Sequence, residues 1–356
     1  MDETFNRANA RMLPALWSAP PGPSVVSWQG PLHLHEGLGV VQNMQEPSHI
    51  NKRKHNKKFR NKKYKTCRMG SWNIGTLTGK TIELVETMKR RRVNIMCLQE
   101  TKWVGEKAKV LDTSGYKLWY TGKHKTKNGV GIIVDSEYIE QVVGVVRKGD
   151  RIIALKIIIG NETVNIISAY APQVGLDEAL KTKFWEDLEV LIQTMPQNEK
   201  VVIGGDLNGH VGQINEDYDK IHGGYGFGTR NNEGKTILDF AIAYDFNIIN
   251  TFFKKREEHL ITFKSGANKT QIDYFLTRSS DRNICKDCKV IPGESLATQH
   301  RLIVLDIKFK YKKFINKKHN TPKIKWWNLK DQNKKITFQK DALEIINWNL
   351  EEVDNT

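Results

Sequence analysis

The sequence predicts an α/β domain, because short apolar runs alternate with segments in which apolar residues recur at helical spacing. The β-branched runs at 152–159 and 201–203 are typical of buried strands. The segment from Leu176 to Met195 has apolar residues three or four positions apart, and Asp177 is suited to cap its start. Predicted strands outnumber predicted helices, and no internal repeat is apparent, so we expect at least two packed layers.

The predicted elements follow one another from residue 69 to about residue 310. Strands are predicted over the segments 94–100, 129–135, 141–146, 152–159, 164–170, 201–203, 246–250, 271–276 and 302–305. Three helices are predicted: one through Ile82, Val85 and Met88, which ends in the basic run 89–92, one from Leu176 to Met195, and one from Ile237 to Tyr244. With 356 residues, the chain is expected to form one large domain or two small ones.

The segment KVVIGGDLNGH at 200–210 is the most informative stretch of the chain. Its apolar run predicts a buried strand, which Gly204 and Gly205 are expected to end. Asp206 and Asn208 follow two residues apart, so an extended chain would direct both side chains the same way. Phosphoester cleavage requires such a pair, one group to take a proton from water and one to donate to the phosphate. A simple turn is the alternative, since Asp and Asn are common in turns.

Further polar side chains lie at or near the ends of predicted strands. They are Asn73, Glu100, Tyr170, Asp273 and His300. Open α/β proteins place their binding and catalytic sites at such strand ends. We therefore expect these side chains to gather with Asp206 and Asn208 in one site.

Six short strings resemble the endonuclease/exonuclease/phosphatase family: SWN at 71–73, LQET at 98–101, YAP at 170–172, GGDLN at 204–208, IDYFL at 272–276 and QHR at 299–301. The resemblance covers approximately Met69 to Lys310. It implies two β-sheets packed face to face with helices outside, a four-layer α/β sandwich. Within the family, the sequence is most similar to the abasic-endonuclease-like domain of RTE/BovB-type non-LTR retrotransposons and to craniofacial development protein 2 and its relatives. This similarity is carried by four longer strings. They are LQETKW at 98–103, YAPQ at 170–173, GESLATQHRL at 293–302 and PKIKWWNLK at 322–330.

The resemblance implies a metal-dependent phosphodiesterase. Glu100 is predicted to bind Mg²⁺, with Mn²⁺ as an alternative, because Mg²⁺ prefers carboxylate and water ligands. Asn73 is predicted to contact the ligand shell of the metal or a phosphate oxygen. Gln299 stands where family members usually carry an Asp of the metal site, so metal affinity is expected to fall. The retroelement-type domains that this chain resembles share this Gln, so the departure does not by itself indicate an inactive site.

The remaining predicted roles concern the phosphate. Asp206 would take a proton from the attacking water, and Asn208 would donate to a non-bridging oxygen. His300 would donate to the scissile phosphate, and Asp273 would orient its imidazole. Tyr170 resembles the family tyrosine that contacts the phosphate. The alternative for each is a structural role in a turn, a strand or the core.

The charge of the chain predicts a polyanionic partner. The net charge is +16, and the segment 51–68 has many Lys and Arg residues and no acid. We expect DNA as the partner, a monomeric protein, no small-molecule cofactor and no membrane association. The basic segment can also be a solvated tail or a nuclear-import signal, so nuclear localisation is expected, with the cytoplasm as an alternative. No apolar run reaches the ~18 residues that a bilayer crossing needs.

The expected organisation has three parts. Residues 1–68 form a disordered region with the basic arm 51–68, residues 69–310 form the catalytic domain, and residues 311–356 form a basic tail that is a linker remnant. The 46 residues (356 − 310) after Lys310 are expected to be too few for a polymerase. The pair Cys285 and Cys288 has zinc-site spacing but no second ligand pair, which favours reduced thiols.

Three functions remain open from the sequence. The first is a metal-dependent DNA endonuclease that is derived from a retroelement or domesticated. The second is a phosphatase or phospholipase of the same fold, which the basic flanks disfavour. The third is a catalytically weak DNA- or chromatin-binding protein, for which Gln299 is the support.

Overall fold

The computed structural model describes residues 64–111, 115–294, 296–310 and 325–353. The strands, in chain order, are β1 Tyr64–Asn73, β2 Ile95–Gln99, β3 Gly105–Val110, β4 Lys117–Gly122, β5 Val130–Val134, β6 Val142–Lys148, β7 Ile152–Ile159, β8 Glu162–Tyr170, β9 Lys200–Asp206, β10 Phe246–Ile248, β11 Phe263–Ser265, β12 Asn268–Thr270, β13 Asp273–Arg278, β14 Cys285–Ile291 and β15 Leu302–Lys310. The α-helices are α1 Thr81–Arg91, α2 Glu178–Gln193, α3 Asn232–Ala243 and α4 Gln332–Val353.

Two mixed β-sheets pack face to face. The first sheet has the order β14-β15-β1-β2-β5-β4-β3, and the second has the order β10-β13-β9-β8-β7-β6. Their facing surfaces bury side chains from both sheets, such as Ile95 and Cys97 against Leu155 and Phe275. The outer face of the first sheet packs on α1, and that of the second packs on α2 and α3. The four-layer α/β fold predicted from the family resemblance is therefore confirmed.

Strand direction brings the predicted site residues to one edge of both sheets. Strands β1 and β2 run parallel in the first sheet, and β8 and β9 run parallel in the second, so each pair ends at its carboxyl edge. Strands β15 and β13 run antiparallel to them and begin at that edge. Residues that follow β1, β2, β8 and β9 therefore meet residues that open β13 and β15.

The prediction that Gly204 and Gly205 end their strand is wrong, because β9 continues through both to Asp206. A Cβ atom on Gly205 would lie 2.1 Å from the carbonyl oxygen of Ala169 in β8. A Cβ atom on Gly204 would lie 2.7 Å from the ring of Phe275 in β13. The two glycines thus allow neighbouring groups to approach closely just before the carboxylate.

The apolar faces of two predicted helices are shorter than expected. Asp177 caps α2 as predicted, since its side chain accepts a hydrogen bond of 3.0 Å from the Ala179 amide. In α2, however, burial of this face begins at Phe184, whereas Leu176 and Leu180 are exposed by 39% and 51%. In α1, Ile82 is exposed although the periodicity placed it on the buried face.

The first sheet begins earlier than the predicted domain boundary at residue 69. Strand β1 starts at Tyr64, so residues 64–68 of the predicted basic arm pair with β15. Arg68 donates two hydrogen bonds, of 2.6 and 2.8 Å, to the carboxylate of Asp306. The rest of the arm and the predicted disordered region, residues 1–63, lie outside the described residues.

The described residues beyond β15, 325–353, belong to a separate compact unit. Its described part contains a short 3-10 helix, Trp326–Lys330, followed by α4. Residues 311–324 and 354–356 of the predicted tail lie outside the described residues.

The four cysteines are buried and unpaired. Burial raises the pKa of the Cys285 thiol to about 12 and raises that of Cys97 likewise. Buried thiols of this kind are protonated at neutral pH and do not favour metal binding. Among the described residues, no helix combines the length and the apolar character that a membrane crossing requires.

We predict that removing residues 64–68 destabilises the domain. A chain that starts at Met69 loses five of the eight residue pairs between β1 and β15, the buried Cys67 side chain and the Arg68–Asp306 pair. Compared with a chain that starts at Tyr64, its free energy of unfolding should fall by about 3 kcal/mol or more. Chemical denaturation of the two chains measures the difference, and equal midpoints would contradict the importance of this strand segment.

Candidate active site

Two neighbouring carboxylates and one imidazole form the centre of the site. Asp206 ends β9 and lies directly opposite Asp273, the first residue of β13. The Nδ1 atom of His300 lies 3.1 Å from Oδ2 of Asp273, and its Nε2 atom lies 3.7 Å from Oδ2 of Asp206. Both carboxylate side chains are buried to 2% exposure or less, and the imidazole is exposed by 12%. The imidazole therefore bridges the two acids, as predicted for Asp273 and His300.

The surroundings fix the imidazole and the carboxylate behind it. The ring of Phe263 contacts the ring of His300 edge-on at 4.8 Å, and the Trp72 indole donates to the His300 carbonyl oxygen at 3.1 Å. The backbone amide of Asp273 donates to the hydroxyl of Thr262 at 3.0 Å. These contacts hold the acid–imidazole pair in a defined geometry.

Proton affinities in this centre are strongly shifted. Burial and, next to it, the charge of Asp273 raise the pKa of Asp206 to about 7, although His300 and the Asn73 amide act in the opposite direction. Burial alone would lower the pKa of His300, but the charges of Asp273 and Asp206 outweigh it and raise the pKa to about 9. Near neutral pH, the imidazole is thus a cation beside a carboxyl group that exchanges its proton readily.

A second carboxylate cluster adjoins this centre. The Asn73 side-chain amide donates to Oε1 of Glu100 at 2.9 Å and to Oδ2 of Asp206 at 3.0 Å. The Tyr170 hydroxyl also donates to Oε1 of Glu100 at 2.9 Å, and Nζ of Lys102 lies 3.2 Å from Oε2. Burial opposes ionisation of Glu100, but these three donors outweigh it, so the pKa of Glu100 is lowered. Asn73 therefore joins the two clusters.

A buried glutamine beneath Glu100 connects the two sheets, and the sequence reasoning missed it. The Gln99 side-chain amide donates to the Ser168 hydroxyl at 3.1 Å and to the Ser71 hydroxyl at 3.3 Å. Gln99 is fully buried in an otherwise apolar strand, which was the available signal. Directly after it, Glu100 has a left-handed backbone with φ of 54°. Such a conformation costs about 1–3 kcal/mol and is found where surrounding contacts fix it, often at functional sites.

Asn208 does not lie alongside Asp206 as the extended-chain argument predicted. Its backbone is left-handed, with φ of 49°, so the chain turns after β9. Its amide hydrogen donates to Oδ1 of Asp206 at 3.1 Å, whereas its side chain donates to the Ala171 carbonyl at 2.9 Å. Asn208 lines the same groove as His300, and its proposed contact with a phosphate oxygen stays a prediction.

Gln299 is not brought into hydrogen-bonding contact with the predicted metal-site residues. Its side-chain amide is exposed and donates to the Ser265 hydroxyl at 3.3 Å. Its backbone carbonyl accepts a hydrogen bond of 2.9 Å from the Lys264 backbone amide. Both partners lie in β11. Gln299 does line the groove that contains Glu100 and His300, and its predicted role toward a metal is untested.

The chemistry of the donor set fits a hard divalent cation. Oδ1 of Asp273 is buried without a hydrogen-bond partner, and a carboxylate oxygen of Asp206 lies within 4.8 Å of one of Asp273. Glu100 offers a second anionic position. Asn73 turns its NH₂ toward these carboxylates while its oxygen accepts from the Gly75 amide at 3.0 Å, so ligation through that oxygen would require rotation of the amide.

The site opens into a groove of about 730 Å³. Its polar side comprises Asn73, Glu100, Asn208, Gln299 and His300, and lysines at 80, 102 and 269 also line it. An open groove that is lined by lysines and by the Glu100 carboxylate is suited to an anionic ester that contacts a bound cation.

We predict that the raised pKa of His300 depends on Asp273. Asp273→Asn removes the nearest negative charge and should lower the His300 pKa from about 9 by at least one unit. NMR titration of the labelled imidazole measures this value, with His259 as an internal reference outside the groove. An unchanged titration of His300 in the variant would contradict the electrostatic account.

Sequence comparisons relate this chain to known proteins. A model of the Endonuclease/Exonuclease/phosphatase family matches residues 70–294. Craniofacial development protein 2 from Tragulus javanicus and from Bos taurus are each 28% identical to this chain over 248 residues, or 68% of it. The match covers 42% and 41% of those relatives, so it spans about two-fifths of their length.

Solved structures share the fold. The catalytic domain of Xenopus laevis APE2 matches with a TM-score of 0.52 at 17% identity, over 69% of this chain and 94% of that chain. The 3′ phosphatase NExo from Neisseria, bound to a product DNA hairpin, matches with a TM-score of 0.51 at 14% identity, over 68% and 100%. The family match covers more than half of the chain, and we conclude that the chain belongs to the endonuclease/exonuclease/phosphatase family.

Proposed function

We propose that this chain is a divalent-metal-dependent phosphodiesterase that nicks DNA, derived from a retroelement or domesticated from one. The observation that carries the proposal is the buried pair Asp206 and Asp273, bridged by a cationic His300 beside the anionic Glu100. This arrangement supplies a cationic donor that lines an open groove and a buried proton acceptor next to it.

In this proposal, Asp206 accepts the proton of the attacking water. Its raised pKa of about 7 makes the carboxylate a stronger base than an ordinary Asp near neutral pH. His300 donates to a phosphate oxygen, and Asp273 keeps its ring oriented. Tyr170 and Asn73 hold Glu100 and Asp206 in place, and Asn208, which lines the groove, would donate to a non-bridging oxygen.

The metal would be held by Glu100, with Asn73 and Gln299 as further predicted contributors and Asp273 offering its unpartnered oxygen. Mg²⁺ fits carboxylate ligands, with Mn²⁺ as the alternative. When bound, it would neutralise charge on the phosphodiester and stabilise the leaving oxygen.

DNA is the substrate that the charge distribution favours. The chain carries a net charge of +16, and lysines line the walls of the site groove. One neighbour of the same fold is described as bound to a DNA hairpin. In this proposal the protein acts in the nucleus, as a monomer.

A phosphatase is the second candidate, because the DNA-bound neighbour is itself described as a 3′ phosphatase. The two candidates differ in whether an internal or a terminal phosphate is cleaved. Circular plasmid has no terminal phosphate, so nicking of a circle distinguishes them.

The test is nicking of supercoiled plasmid, intact or containing abasic sites, with Mg²⁺ or with EDTA. We predict nicking that requires Mg²⁺ and falls by at least about 100-fold in His300→Ala, the range expected for a general acid or base. His259→Ala, outside the groove, is the matched control and should retain activity. Full activity of His300→Ala would remove this residue from the reaction and favour a non-catalytic DNA-binding protein.

The same assay tests Glu100. Glu100→Gln keeps the shape of the side chain but removes its charge, so the Mg²⁺ concentration for half-maximal nicking should rise by at least about tenfold. Glu106→Gln, at an exposed position of β3, is the control. A Mg²⁺ midpoint that is the same in Glu100→Gln and in the unmodified chain would place the metal elsewhere.

A further inference from the structure

A second groove, of about 510 Å³, adjoins the site groove. The two share Glu100, Lys102 and Gln173 as lining residues, and Tyr170 also lines the second groove. A ligand strand that lies across Glu100 can therefore extend from the site into this second groove. We call it the flanking groove.

The floor of the flanking groove is apolar. Ile152 and Phe184 are almost fully buried beneath it. Leu176 lies just before α2 and Leu180 lies in its first turn, with 39% and 51% of their surface exposed. These two leucines belong to the face that sequence periodicity predicted to be buried. The exposed parts of both leucines are not covered by any described residue, so the floor offers apolar area to a ligand.

The rim of the flanking groove is cationic. Lys123, Lys127 and Lys148 line it and form no ion pair with any described residue. Arg151 adds a fourth cation, which donates to the Tyr170 carbonyl at 3.1 Å and lies 5.0 Å from the centre of the Tyr170 ring.

The acids of this groove are already engaged. The Asp150 carboxylate accepts a hydrogen bond of 2.9 Å from Asn128, and Asp187 pairs with Lys183 at 3.3 Å. Glu100 is held by Asn73, Tyr170 and Lys102. Lys102 and Lys183 offset Glu100 and Asp187, and the remaining charge of Asp150 is outnumbered by the four rim cations, so the net charge of the groove is positive and attracts phosphates.

The opposite side of α2 has the reverse charge. A groove of about 780 Å³ there is lined by Glu178, Glu186, Glu189, Glu233 and Asp239. Its lysine, Lys181, already pairs with Glu178 and Glu233 at 3.3 and 3.1 Å. A polyanion is repelled from that side, so the charges direct a nucleic acid to the flanking groove.

We propose that the flanking groove binds an unpaired stretch of DNA that continues from the reacting phosphate. Its bases cover Leu176 and Leu180, and its phosphates contact Lys123, Lys127 and Lys148. A duplex keeps its bases stacked inside and presents phosphates outward, so it would leave the apolar floor uncovered. Unpaired bases expose faces that pack on apolar side chains. This proposal rests on the proposed nuclease function in one respect, namely that the bound DNA continues from the reacting phosphate.

Binding of the full chain in EDTA, without turnover, tests this. The probes are a short fluorescein-labelled oligothymidylate and a blunt duplex of the same length, each titrated at several salt concentrations. The triple variant Lys123→Gln, Lys127→Gln, Lys148→Gln should bind oligothymidylate at least about tenfold more weakly and reduce its log–log salt slope by about 2, at roughly 0.7 per phosphate contact.

The floor is tested separately. Leu176→Ser with Leu180→Ser should weaken oligothymidylate binding by about tenfold without changing the salt slope, because apolar contacts release no counterions. Ile242→Ser, at a comparably exposed apolar position of α3, is the control for the floor. The control for the rim is Lys220→Gln, Lys235→Gln, Lys254→Gln, three exposed lysines that line neither groove.

The outcomes separate this inference from the proposed function. Equal losses for duplex and oligothymidylate, or losses no larger than those of the controls, would overturn the flanking groove as a site for unpaired DNA. If that occurs while plasmid nicking still requires Mg²⁺ and His300, the function stands and this inference alone fails. Selective loss of oligothymidylate binding in a chain that nicks no plasmid supports the groove and contradicts the nuclease.

Discussion

The pairing of two buried carboxylates across adjacent strands is the constraint on which the site depends. Asp206 and Asp273 face each other in the second sheet, where both would be difficult to ionise without a cation. The His300 imidazole supplies that cation from the segment just before β15 of the first sheet, and Asn73 adds a donor from the end of β1. The two carboxylates therefore keep their charge-compensating partners only while the two sheets keep their relative position.

The apolar contacts between the sheets position these polar groups. Gln99 adds the polar link beneath Glu100, since its amide reaches a hydroxyl on each sheet. Gly204 and Gly205 let β8, β9 and β13 approach without side chains in the way, just before the carboxylate. Two glycines and one buried amide therefore help to position the charged groups of the site.

The sequence predicted the family and the layers, and its short motifs mark strand-end residues that the fold brings together. Asp206, Asp273 and His300 lie together as expected, and the cap of α2 by Asp177 is confirmed. Strands β3 and β14 were missed because charged residues interrupt their short apolar patterns, although each pairs with a strand close to it in sequence. Strand β4 was missed as well, although both of its partners, β3 and β5, are close in sequence. The turn at Asn208 and the exposure of Leu180 were missed because both depend on residues that are distant in sequence.

The central claim is that a carboxylate of raised pKa and an imidazolium of raised pKa act together. The most direct measurement is the pH dependence of the nicking rate at saturating Mg²⁺. The rate should rise as Asp206 loses its proton near pH 7 and fall as His300 loses its proton near pH 9. The result is then a bell-shaped profile with limbs near these two values. A profile that is flat through this range, or that rises without a fall above pH 9, would contradict the account.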